Sequence, residues 1–291
     1  MFDFIINPIA GGKRGKKMMK SVALIKDRLE EKKVEYKFHI STKRGEVTSL
    51  TKKLIDEGAT NIVVVGGDGS LHEAINGFHN FENVNMGIIP CGTGNDFANA
   101  LNLPKNPVKA LDLILEGQAK YTDFMQMPTV RGLNVIGMGI DVDVLIRYER
   151  LKKKSKFGYT MSLIKTLCKF DYVEFDAELN GQSKNYRSFI ACIANGHVFG
   201  GGIPICPPAD PTDGKLDFVA VHAMKKLKII GAFIKLKRGK LLKLKEAVHQ
   251  TTDQVKISCP VPYTVNVDGE LYENIPFKVE VVHDTLRIYR V

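Results

Sequence analysis

A short β-branched run, Asn61-Ile62-Val63-Val64-Val65, leads without interruption into Gly66-Gly67-Asp68-Gly69-Ser70, and Leu71-His72-Glu73-Ala74-Ile75-Asn76 then opens a helical pattern. A parallel strand followed by its crossover helix is the arrangement that suits such a junction. Glycines there let the backbone approach phosphate oxygens with no Cβ in the way. The amides and dipole at a helix start favour an anion. The loop is not of the Walker type, because no Gly-Lys-Ser/Thr follows at the required spacing. Asp68 would repel a phosphate unless a metal ion or a proton is also handled there, and magnesium resolves the conflict. Taken alone, the motif fits equally well a tight turn in which Asp68 caps the helix.

It is not alone. A second strand, Asn85 to Pro90, delivers Cys91-Gly92-Thr93-Gly94-Asn95-Asp96 and then Phe97-Ala98-Asn99-Ala100. In an open parallel sheet, ligands sit in the crevice outside the carboxyl ends of the strands, so both loops are expected to face one nucleotide. A third turn, Asn7-Pro8-Ile9-Ala10-Gly11-Gly12-Lys13-Arg14-Gly15, suits phosphates or their entry path, although by itself it is commonly just a loop.

Over the first 125 or so residues, strands (Phe2 to Ile6, Tyr36 to Ile40, Ile62 to Val65, Met86 to Ile89) alternate with helical stretches (Lys16 to Lys32, Glu46 to Glu57, Leu71 to Phe78, Pro107 to Glu116). This predicts a doubly wound α/β nucleotide-binding domain over residues 1–126. Beyond it the texture changes to alternating strands, among them Phe175 to Leu179, Phe189 to Ala194, Leu216 to Val221 and Tyr263 to Val267. A mainly antiparallel β domain is expected over 127–284. At 291 residues, two domains are the natural expectation.

Composition excludes several classes. The 44% hydrophobic and 25% charged content is globular. No basic n-region precedes an apolar run at the amino terminus, and no stretch approaches the roughly 18 apolar residues of a spanning helix, so a soluble, cytoplasmic protein is expected. Cys91, Cys168, Cys192, Cys206 and Cys259 are scattered singly, which argues against a disulfide framework or a zinc site and suits a reducing compartment. His39, His79, His197, His222, His249 and His283 show no metal-ligand or triad spacing. The net charge of +10 gathers in Arg147 to Lys169 and Lys225 to Lys245, both interleaved with apolar residues as in basic amphipathic helices. Such helices lie on anionic phospholipid headgroups, each Lys or Arg contributing about 1 kcal/mol. The ordinary reading of either one alone is a solvated helix face, but the two together lead to the expectation of peripheral contact with a membrane. Regularly placed aromatics for base stacking are missing from both, which ranks nucleic acid last among partners.

Together, Asn7-Pro8 with Gly11-Gly12-Lys13, the Gly66 to Ser70 loop and Gly92-Thr93-Gly94-Asn95-Asp96-Phe97 resemble the catalytic domain of diacylglycerol and sphingosine kinases. Pro207-Pro208-Ala209-Asp210-Pro211-Thr212-Asp213-Gly214-Lys215-Leu216-Asp217 and Asp268-Gly269-Glu270 extend the likeness over essentially the whole chain, nearest to the soluble bacterial enzymes. The resemblance implies a nucleotide-binding α/β domain, a β-sandwich domain, a terminal strand (285–291) returning to the first domain, and γ-phosphoryl transfer from ATP to a lipid hydroxyl, with diacylglycerol as the leading acceptor.

Position by position, it implies ATP contacts from Asn7, Pro8, Ile9, Ala10 and Gly11, from Thr42, from Gly66, Gly67, Asp68, Gly69, Ser70, Leu71 and His72, and from Thr93. It implies a structural magnesium ion at Asp213 with Asp210 and Lys215, the lysine through its carbonyl. Asp268 or Glu270 would accept the hydroxyl proton while Asp68 orders water and magnesium. Read as residues only, Asp213-Gly214 and Asp268-Gly269 are both ordinary turn dipeptides. NAD kinase, a kinase for another lipid alcohol, and a non-catalytic nucleotide-responsive membrane binder are the competing readings; a homodimer stays open.

Overall fold

The computed structural model describes residues 1–8, 15–149 and 171–291. The expected ATP contacts Ile9, Ala10 and Gly11, together with most of the basic segment from Arg147 to Lys169, lie outside them. The chain divides into two compact units, Met1–Phe124 with Val282–Val291, and Met125–Val281.

The first unit is a parallel sheet with helices. Its elements are β1 (Phe2–Ile6), α1 (Gly15–Glu31), β2 (Tyr36–Ile40), α2 (Glu46–Asp56), β3 (Asn61–Gly66), α3 (Asp68–Gly77), β4 (Asn85–Pro90), α4 (Asp96–Ala100) and α5 (Pro107–Glu116). Strand β1 lies between β2 and β3, and β4 extends the sheet beyond β3, all parallel. The end of the last strand, Lys278–Tyr289, adds to β4 in parallel through Arg287 and Ile288. Ile62, Val63, Val64 and Val65 are all fully buried, as a central parallel strand covered on both faces requires. Phe4, Val63 and Ile89 meet Ile25, Leu29 and Leu111 from the helices in one core cluster. Arg28 Nε donates to Asp112 Oδ1 at 2.8 Å, tying α1 to α5. Asn106 caps α5 by accepting from the amides of Val108 and Lys109, with Pro107 in the first turn. One boundary differs from expectation: α3 begins at Asp68, not at Leu71. Ser70 and Leu71 both donate to the Gly67 carbonyl, so Asp68, Gly69 and Ser70 form the first helical turn, where an acidic residue is favoured by the dipole.

The second unit is antiparallel and sandwich-like. After β5 (Ala119–Gln126), which carries the chain into it, come β6 (Arg131–Gly132), β7 (Val135–Gly139), α6 (Ile140–Glu149), β8 (Val173–Leu179), β9 (Gln182–Ala194), and the short ribbon of β10 (Val198–Phe199) with β11 (Ile203–Pro204). Then follow β12 (Leu216–His222), α7 (Lys226–Lys237), β13 (Ala247–Thr252), β14 (Gln254–Ser258), β15 (Thr264–Val267), β16 (Glu270–Glu273) and β17 (Lys278–Tyr289). Strand β9 starts seven residues before the expected Phe189, since 182 to 189 differ by seven. Its first half pairs with β8, and its second half lies between β7 and β12. That first half, with Gln182, Ser183, Lys184 and Asn185 exposed, has no apolar alternation to announce it. The second half buries both faces: Ala191 and Ile193 enter one core cluster with Phe218, while Ile190, Cys192 and Ala194 enter another with Val219 and Val221.

Candidate active site

The two glycine loops of the first unit are stitched to one another. A Cβ on Gly67 would stand 2.9 Å from the Gly92 Cα, and one on Gly92 would stand 2.5 Å from the Gly67 Cα. These two glycines are therefore required by the close approach of two backbones, before any ligand is considered. The Cys91 amide donates to the Gly66 carbonyl at 2.7 Å. Asn95, in the left-handed region at φ 56°, accepts from the Gly92 amide at 2.8 Å and donates to the Gly92 carbonyl at 3.2 Å.

Asp68 closes the seam. Its carboxylate accepts from the Asn95 amide at 2.8 Å and the Phe97 amide at 3.4 Å, anchoring the start of α4. Part of the residue's surface stays open, but the carboxylate is enclosed by dense packing; this burial, and secondly the charge of Asp96, push it up to about 6 against the pull of the amides. Asp96 itself is buried.

The other expected nucleotide contacts divide by exposure. Thr93 and Gly69 are exposed, and Thr42 and the half-buried Asn7 and Pro8 are also within reach of solvent. Thr42 donates its amide and its hydroxyl to Glu46, which also accepts from the Lys43 amide; these bonds hold the Glu46 carboxyl below its usual range. Ser70 is buried, and its Oγ accepts from Asn7 Nδ2 at 3.2 Å. Leu71 and His72 are buried in α3 and turn their side chains toward protein.

In the second unit, Asp268 sits at the β15–β16 hairpin with φ 53°, followed by Gly269 at φ 97°. Its Oδ2 accepts from the Leu133 amide at 2.6 Å, and its Oδ1 from the amides of Asn134 at 2.9 Å and Val135 at 3.0 Å. Three charge-assisted bonds pin the segment entering β7 to a hairpin some 130 residues later in the chain. Glu270, two residues on and half-buried, opens β16.

The same hairpin is joined to an apolar pocket. Asn266 accepts from the Gly269 amide at 2.8 Å and donates to Asp141 Oδ2 at 3.2 Å. Asp141, in the first turn of α6, lines a pocket partly open to solvent, whose walls are apolar side chains including Val144, Phe189, Phe199, Ile229 and Phe233. Burial pushes Asp141 up to about 6, and its Oδ1 has no hydrogen-bond partner. The sequence reading did not single out Asp141 or Asn266. An acid among Ile140, Val142 and Val144 at a strand–helix junction is the signal that could have found the first.

Asp210, Asp213 and Lys215 are exposed in the loop before β12. Thr212 Oγ1 donates to Asp210 at 2.7 Å, and the Lys215 amide to Asp213 Oδ1 at 2.9 Å, with Gly214 at φ 72° making the turn. Carboxylates and carbonyls on one turn form an all-oxygen donor set of the kind a hard cation takes.

Residues 2–127 match the diacylglycerol kinase catalytic domain, and residues 134–290 match the YegS C-terminal NAD kinase β-sandwich-like domain. The chain is 26% identical over 290 residues to the diacylglycerol kinase of Staphylococcus carnosus, covering 98% of this chain and 93% of that one. It is 27% identical over 249 residues to the diacylglycerol kinase of Mycobacterium tuberculosis H37Rv, covering 83% and 80%. A crystal structure of a diacylglycerol kinase from Bacillus anthracis shares the fold, with a TM-score of 0.73 at 20% identity over 100% of this chain and 96% of that one.

Proposed function

The chain belongs to the lipid kinase family that joins a diacylglycerol kinase catalytic domain to a YegS-type β-sandwich domain, and from that premise we propose that it transfers the γ-phosphoryl group of ATP to the free hydroxyl of diacylglycerol, forming phosphatidic acid. The observation that carries the choice of acceptor is the Asn266 bridge, which joins an apolar pocket of acyl-chain character to the hairpin bearing Glu270. Acyl chains enter the pocket, with the buried Asp141 at its wall.

Glu270 is the general base. The oxygens of Asp268 serve three backbone amides, so Asp268 acts as the clamp that fixes the hairpin. The exposed part of the two glycine loops, Gly69 and Thr93 with Asn7 and Pro8, takes the ATP phosphates at the start of α3. Asp68 holds the loops together and sets the charge beside the phosphates. Magnesium, held by Asp213 with Asp210 and the Lys215 carbonyl, would supply charge neutralisation and local order. Phosphoryl transfer asks for positioning and charge balance from the protein, and one carboxylate at the attacking hydroxyl completes the set.

Docking uses α7. Ile230 and Ile234, 58% and 47% exposed, stand one helical turn apart on its outer side, and Lys228, Lys235, Lys237 and Arg238 are exposed around them. The inner residues Ile229 and Phe233 line the pocket. An anionic lipid surface suits this combination of apolar stripe and positive charge. Among the described residues no helix is long and apolar enough to cross a membrane.

Labelled γ-phosphate transfer to mixed micelles tests the reaction. Label in phosphatidic acid, at a higher rate than in monoacylglycerol or sphingoid-base products, is expected. Label confined to another lipid alcohol would keep the family and overturn the acceptor.

A further inference from the structure

We propose that Cys206, Asp217 and His249 form a binding site for a divalent transition-metal ion of zinc type in the sandwich unit. The three come from separate stretches of sequence, and the fold brings them together. In the ladder between β12 and β13, Asp217 pairs with Thr251 and Val219 with His249, so Asp217 and His249 are diagonal neighbours on one sheet face. Cys206, from the loop before β12, packs in the cluster that includes Val219 on that same face. His249 Nε2 lies 2.5 Å from Asp217 Oδ1, and one donor atom from each of the three residues falls within 4.8 Å of the others. Among the described residues no other three His, Cys, Asp or Glu side chains converge in this way.

The donor chemistry selects the ion. A sulfur, an imidazole nitrogen and a carboxylate oxygen suit borderline cations, whereas magnesium and calcium take oxygens throughout. This separates the site from the all-oxygen turn at Asp210 and Asp213. Cys206 is 0% and Asp217 is 4% exposed, while His249 reaches the surface. An ion would therefore enter past the imidazole and keep its fourth position for water. At ordinary zinc bond lengths, tetrahedral ligand atoms stand about 3.3–3.8 Å apart, so the His249–Asp217 contact opens by about 1 Å on binding. The exposed imidazole can make that movement.

Burial, and then the charge of Asp217, push the Cys206 thiol up to about 12, so the trio is no thiolate nucleophile. On binding a cation, the thiol proton and any proton on the coordinating imidazole nitrogen would leave for solvent, and the ion would be held by a thiolate, a carboxylate and a neutral imidazole. The competing account is that His249 and Cys206 merely satisfy a buried carboxylate.

Cobalt titration of the chelator-treated full chain separates the two. The expected result is one cobalt ion per chain with a near-ultraviolet thiolate-to-cobalt charge-transfer band, reversed by zinc. Cys206→Ser should lose the band, Cys192→Ser on the neighbouring strand should keep it, and His249→Gln should weaken binding by at least about tenfold. No band in the wild-type chain, or one that survives Cys206→Ser, overturns the proposal. If Cys206→Ser does not fold, the partly exposed His249 decides: unchanged cobalt affinity in His249→Gln overturns it.

Discussion

Asp68 and Asp268 occupy the same dipeptide, Asp-Gly, one in each unit, and each carboxylate accepts bonds from backbone amides of a distant segment. Their settings differ. Asp68 stands in the first turn of a helix, receives backbone amides from the start of α4, and has the buried Asp96 for a neighbour, so that its own charge is opposed. Asp268 stands in a hairpin with a left-handed backbone and receives three amides. The comparison shows that a carboxylate in a signature motif can be conscripted by the backbone. On the proposed reading, proton transfer in the second unit falls to Glu270, and in the first unit the charge of Asp68 depends on what is bound beside it.

Four points of this difference are open to experiment. Asp268→Ala strips the acceptor from three amides, each costing about 1–3 kcal/mol when left unpaired, so urea unfolding should show a loss of at least about 3 kcal/mol. A loss under 1 kcal/mol would remove the clamp from the account. Gly92→Ala drives a Cβ into the Gly67 backbone at 2.5 Å; it should cost about 2 kcal/mol in the same assay, as overpacking does, whereas Gly181→Ala, in open space, suffers only the strain of its φ of 74°.

The third point is pH. In the ligand-free chain the folded state holds the Asp68 proton up to about pH 6, while the unfolded chain releases it near 3.8. The folded state therefore binds more protons in that window, and stability contributed by this group rises as pH falls from about 6 toward 4. Asp141 is displaced in the same direction, so the wild type must be compared with Asp68→Asn. The wild type should gain about 1–2 kcal/mol more than the variant between pH 7 and pH 4.5; equal gains would deny Asp68 its opposed charge. The smallest effect concerns α7: replacing Ile230 and Ile234 by Ser should weaken binding to anionic vesicles about tenfold, the loss expected when partly exposed apolar side chains no longer insert. Unchanged binding would move the docking surface elsewhere.

Much of the first unit was readable in advance because its signals are local. The buried run Ile62 to Val65, the glycines that end it and the periodicity of α2 and α5 fix strands and helices without reference to the rest of the chain. The second unit was readable as antiparallel from strands such as Phe175 to Leu179, where Phe175, Ala177 and Leu179 are buried in alternation. The first half of β9 escaped, because a polar strand is held by its partners and not by its own pattern. The same limit applies to the site. Asp268 meets Leu133, Asn134 and Val135, and Cys206 meets Asp217 and His249, only after folding. Spacing along the chain carries no information about side chains that meet only across a loop and two paired strands. Asp141 carries no signal of a site until the apolar pocket beside it is formed.

In the proposed reaction Glu270 takes the proton of the lipid hydroxyl while Asp268 holds the hairpin. Transfer of labelled γ-phosphate to diacylglycerol by Glu270→Gln, measured beside its unfolding midpoint, tests it most directly. The account predicts a rate lowered about 10²–10⁴-fold, the usual contribution of a general base, with stability close to that of the wild type. A variant that transfers phosphate at the wild-type rate would contradict it.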